Sequence, residues 1–192
     1  MPILSRVVPR RTGERGSALV EFALVLPLLL TLFMLVVELG LLINGRLIVT
    51  NVSREGGSIG SRMTVIDNGL LLMLESSGFP LNLGGADGRI IVTRVTSGDT
   101  EDAPNPRIVR QLTRGALGVS STVHDDAPNL GLTEAVYNRL VFDRDNGTAD
   151  IAEVTVVEVY FKHRPVTPMQ RVIRGLVLAD GDGTILSSRA VF

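Results

Sequence analysis

Cysteine is absent from the 192 residues, which excludes disulfides, thiolate metal sites and cysteine nucleophiles together. The compartment stays open on that count, since oxidising surroundings permit disulfides without requiring them. Lysine is almost absent as well. Lys162 is the only one, and arginine supplies the rest of the positive charge. The net charge of −1 gives no field that would draw nucleic acid or an acidic ligand. No Walker glycine-lysine loop, no Gly-x-Ser-x-Gly elbow and no Ser-x-x-Lys pair occurs. The two histidines, His124 beside Asp125 and Asp126 and the distant His163, lack a spacing that places several metal ligands on one face. Asp143-Arg144-Asp145-Asn146-Gly147 and Asp180-Gly181-Asp182-Gly183 resemble calcium-loop fragments, but neither is followed by the ligating glutamate, so both read as tight turns. The expectation is a protein with no catalytic residues, no metal and no cofactor.

What the chain does have is one long apolar run. From Ala18 to Ile43 only Glu21 and Glu38 are charged. At about 1.5 Å per residue these positions extend for roughly 39 Å, against a hydrocarbon layer of about 30 Å, so a single tilted span fits. A cleaved secretory signal would have a shorter apolar region and a small-x-small site, and neither is present.

Three regions follow. Residues 1–16 form a basic leader in which Arg6, Arg10, Arg11 and Arg15 outnumber one acid and Pro2, Pro9, Gly13 and Gly16 oppose regular structure. Residues 17–62 read as one helix, half in lipid and half beyond it, running to about Gly57. Arginines flank the run on both sides, so charge favours a cytoplasmic N-terminus only weakly. Residues 63–192 are enough for a self-sufficient core. There, 89–98 is β-branched, and 151–166 alternates with Val154, Val156, Glu158 and Tyr160 on one face and Thr155, Val157, Val159 and Phe161 on the other. That second strand is expected to be central and covered on both sides. Helical spacing occurs at 132–141 and 69–76, and 175–192 fits a hairpin with Asp182-Gly183 in the turn. The expected fold is α+β: a long N-terminal transmembrane helix, as in a pilin stalk, followed by a mainly antiparallel β-sheet globule with short helices.

The stretch Arg15-Gly16-Ser17-Ala18-Leu19-Val20-Glu21-Phe22 before the run looks like the processing site of type IV prepilins. With Pro27 in mid-span and Glu38-Leu39-Gly40 near its end, and with looser similarity over 151–168, the chain resembles the TadE/TadF-like minor pseudopilins of tight adherence (Tad) pili. Residues 63–150 carry no motif of that family, and Arg54-Glu55-Gly56-Gly57-Ser58 departs from its Arg-Glu-Gly-x-Arg stretch.

The resemblance implies cleavage after Gly16 by a prepilin peptidase, leaving Ser17 as the new terminus. It implies assembly through the helix with other pilin-like subunits and the Tad inner-membrane platform, in contact with membrane lipid. Glu21, Phe22, Pro27, Glu38 and Gly40 are the assembly residues it marks. Each also has a plainer reading: Glu21 as an interfacial acid, Pro27 as a tolerated transmembrane proline, and Glu38 as an acid snorkelling at the far interface. Gly56 and Gly60 form a Gly-x-x-x-Gly pair outside the apolar run, where a loop is the simpler expectation. The alternative function is an uncleaved, signal-anchored extracytoplasmic binding or adhesion domain.

Overall fold

In the computed structural model, residues 13–166 and 183–192 are described, with side chains from Gly16 onward. The most proximal leader residues and the expected first arm of the C-terminal hairpin, with Asp180 to Asp182, lie outside the described residues. The first helix, α1, spans Gly13–Gly60. Leu-, Val- and Phe-rich sequence with few breakers favours one continuous helix, and α1 runs through Pro27 without ending. Proline has no N–H to give to the preceding turn. The carbonyl that loses its donor is that of Ala23, one turn earlier, while the Pro27 carbonyl accepts from the Thr31 hydroxyl at 2.8 Å.

After α1 come α2 (Asn68–Ser77), β1 (Gly88–Thr96) and β2 (Arg107–Arg114), then a short 3-10 turn at Pro128–Gly131, α3 (Glu134–Leu140), β3 (Glu153–His163) and β4 (Thr184–Val191). Asp67 caps α2, its carboxylate accepting from the Leu70 backbone N–H at 3.1 Å. The four strands form one antiparallel sheet in the order β2-β1-β3-β4. β3 is central, as its two apolar faces require. Val157 and Val159 join Ile90, Val92 and Leu186 in a core closed by α1 and α2. Val154 and Val156 face the other way, with Val95, Val123, Leu132 and Leu140. The strand β2 has no counterpart in the sequence expectations. Arg107, Arg110 and Arg114 break its apolar alternation, which suits an exposed edge that must not pair with another chain.

The half of α1 beyond the apolar run is not a free stalk. Val49 and Val52 are buried among Leu70, Leu71 and Leu74, and small residues let the helix backbone approach the sheet. A Cβ on Gly56 would stand 2.8 Å from the Leu74 side chain and 3.1 Å from that of Val157, and one on Gly60 would stand 2.9 Å from the Thr155 methyl. The loop expected for the Gly56–Gly60 pair is therefore corrected. Both glycines lie in α1, where their missing side chains make room for the sheet. Beyond them, Arg94 donates to the carbonyl of Gly60, which also accepts from the Met63 N–H at 3.3 Å, and, at 2.8 Å, to that of Thr64, tying the end of the helix to β1.

Candidate functional site

The candidate site is α1 itself, and it changes character at Glu38. From Gly16 to Val37 every side chain is exposed except the half-buried Met34 and Leu35. Within this stretch the most apolar 18-residue segment has none of its residues buried. Phe22 and Phe33 project from it, 60% and 66% exposed. Glu21 is exposed too, and the Ser17 hydroxyl donates to its Oε1 at 3.5 Å, one turn away. Gly16, expected at the end of the leader, and Ser17, expected at the start of the helix, both lie inside α1, which begins at Gly13. Pro27 stands in the middle of the exposed stretch. Gly40 is exposed, and a Cβ there would meet nothing within 4 Å, so no packing inside the molecule requires a glycine at that position.

Glu38 departs from its expected place among the headgroups. Its side chain turns inward and only 2% of the residue is exposed. Oε1 lies 2.9 Å from Nε2 of His163, the last residue of β3, and the Val166 N–H donates to both carboxylate oxygens at 3.2 and 3.3 Å. With the proton on Nε2 the imidazole donates to the carboxylate. Snorkelling is thereby corrected: a partly desolvated acid is stabilised more by fixed donors than by a reach toward water. The arrangement clips the helix to the end of the central strand where the exposed segment stops. Glu38, Gly45, Val49, Val52, Ser53, Gly56 and Gly60 repeat at helical spacing, so one stripe of α1 faces the globule throughout. Ser53 on that stripe meets the Ser188 hydroxyl of β4 at 2.7 Å.

Sequence reasoning missed His163 as a partner, although a signal existed. An acid at the end of an apolar run needs a compensating group, and His163 closes the most strongly apolar strand. A separate buried acid, Glu158, is fully enclosed on the opposite face of β3. It accepts from the Ser121 hydroxyl, from the backbone N–H and hydroxyl of Thr122 at 3.0 and 2.5 Å, and from the Tyr160 hydroxyl at 3.1 Å. Burial and the neighbouring Glu158 carboxylate push the Tyr160 hydroxyl up to about 12. All of Glu158's donors are protein groups, which makes it a clamp for the 121–123 segment. Among the described residues no cluster of His, Asp and Glu is placed to hold a metal.

Residues 16–58 match the model of the family described as TadE-like protein. No curated protein and no solved structure gives a significant match. The matched segment takes in Gly16, Ser17, Glu21, Phe22, Pro27, Glu38 and Gly40 and most of the stripe that faces the sheet. Over residues 16–58, then, this chain is similar to the family described as TadE-like protein.

Proposed function

We propose that the chain is a minor pilin-like subunit, a pseudopilin, required for assembly of Tad pili. It is anchored by α1 in the inner membrane with its N-terminus cytoplasmic and its globule outside. It is processed by a prepilin peptidase after Gly16 and then assembles through its N-terminal helix. The observation that carries this reading is the exposed apolar surface of α1 from Ala18 to Val37, broken only by the half-buried Met34 and Leu35, within the segment that matches the family. Each large apolar side chain there forgoes about 1.5–3 kcal/mol of burial in water, so the surface calls for lipid or neighbouring helices.

Glu21 gives the cut an electrostatic purpose. A carboxylate in apolar surroundings costs on the order of 3 kcal/mol unless compensated. A new ammonium group at Ser17, on the same chain or a neighbour, stands one helical turn, about 6 Å, along the axis. Gly16 lies in helix, so the peptidase must unwind the first turns. Gly13 and Gly16 ease this, each weakening the helix by about 1 kcal/mol relative to alanine. The partners are the peptidase, other pilin-like subunits, the Tad inner-membrane platform and lipid. Nucleic acid, small-molecule substrates, cofactors and catalysis have no part.

Mass spectrometry of the membrane-extracted protein tests the claim. A mature chain beginning at Ser17 is expected, and a different N-terminus in a strain with active peptidase would sink it. The unbroken helix across Gly16 and Ser17 favours a second reading, an uncut anchored binding or adhesion domain. Glu21→Ala separates the two: loss of pili with normal membrane insertion supports assembly, and unchanged piliation supports the solitary anchor.

A further inference from the structure

The two most exposed large apolar side chains among the described residues are Phe79, 85% exposed, and Val166, 78%. Neither belongs to the apolar helix, and both lie beside its root. Phe79 follows the end of α2, its N–H donating to the Ser76 carbonyl at 3.3 Å. The next two residues, Pro80 and Leu81, line an open cleft of about 280 Å³ together with Leu41, Asn44, Arg164 and Val166. Val166 in turn donates its N–H to Glu38. Two segments far apart in sequence thus form a collar around α1 at Glu38–Asn44.

The height of that collar follows from the helix. Counted from Ala18, a hydrocarbon layer of about 30 Å is crossed in about 20 residues, ending near Val37. Leu41 then stands about 6 Å further out, within a headgroup layer roughly 5–7 Å thick. Phenylalanine and valine exposed at this level would be costly in water but suit the boundary between acyl chains and headgroups. The collar's charge also fits. Arg164 is bound to Asp87 through Nε and Nη2 at 3.1 and 2.7 Å. Lys162, which also lines the cleft, has no ion pair among the described residues and offers a cation to lipid phosphate.

We infer that this collar is a lipid-binding surface: Phe79 and Val166 enter the interfacial layer of the outer leaflet and seat the globule directly on the membrane. The inference rests on α1 spanning the bilayer. The chain has no tryptophan, so Phe79→Trp introduces a single fluorophore at an already exposed aromatic position. The full-length variant is reconstituted in phosphatidylcholine–phosphatidylglycerol vesicles carrying a nitroxide either on the headgroup or deep in the acyl chain. Leu28→Trp, in mid-span, and Val109→Trp, on the exposed edge strand β2, are reconstituted alongside.

Expected are blue-shifted emission and strong quenching of Phe79→Trp by the headgroup label. Leu28→Trp should be quenched by the deep label, and Val109→Trp by neither. Phe79→Trp emission as red and as unquenched as that of Val109→Trp, with Leu28→Trp quenched, overturns the collar and leaves the span standing. Failure of Leu28→Trp to be quenched by the deep label overturns both. Disulfide-linked dimers of Phe79→Cys in the same vesicles, with Phe79→Trp unquenched, assign the surface to a second copy of the chain and likewise overturn lipid contact.

Discussion

Glu38 and His163, 125 positions apart, meet at 2.9 Å and tie the point where α1 leaves its exposed apolar stretch to the last residue of the central strand. Both are buried, so the contact fixes where the helix stands on the sheet. It places the end of the apolar segment and the foot of the globule at one level.

Replacing His163 by alanine removes a side-chain partner, 2.9 Å away, of a buried carboxylate. Breaking such a pair costs about 3 kcal/mol. Urea denaturation in detergent should show a loss of that order, and proteolysis should release the globule from α1 more readily. Thermal stability equal to wild type would mean that the pair does not hold the helix.

The two classes of glycine on α1 should respond oppositely. Gly56→Val puts side-chain atoms into Leu74 and Val157 and is expected to destabilise by about 1–3 kcal/mol. Gly40→Ala meets nothing and should stabilise the helix by up to about 1 kcal/mol. If Gly40→Ala nevertheless abolishes piliation, the glycine serves a contact between molecules. Normal piliation would remove Gly40 from the assembly surface.

Glu158→Gln replaces an acceptor that collects three side-chain hydroxyls and one backbone N–H with an amide that turns two donors toward them. A destabilisation of about 2 kcal/mol is expected. Hydrogen exchange should speed up at Thr122 and Val123. Unchanged protection there would show that the carboxylate is not what holds the segment.

Tyr160 makes stability fall at alkaline pH. Its hydroxyl is raised to about 12 in the folded protein, against 10 when unfolded. The folded state therefore keeps a proton that the unfolded state loses. The contribution is full below pH 10 and is lost as pH rises toward 12. Absorbance titration should show a late tyrosine ionisation that is lost in Tyr160→Phe, and the same variant should flatten the alkaline slope. An equal slope in that variant would refute the assignment.

Much of this was legible because it depends on local pattern. An uninterrupted apolar run of this length has one outlet, a helix with lipid or other helices around it. The double-faced alternation of residues 153–161 requires a central strand, since each face must be covered. The edge strand β2 was not legible, because an exposed edge rewards charge as much as apolar alternation and its arginines mask the period. Likewise Gly56 and Gly60 look like loop residues until a sheet is seen lying against them.

The sequence by itself determined the apolar helix and the antiparallel character of the globule, since each follows from residues near one another in the chain. Only the tertiary structure decided which face of α1 packs on the sheet. It also decided that Glu38 turns inward to His163, and that Phe79 and Val166 share a collar at the helix root. Those outcomes depend on contacts between distant segments, where burial and hydrogen bonding overrule what each residue would do alone at a membrane surface.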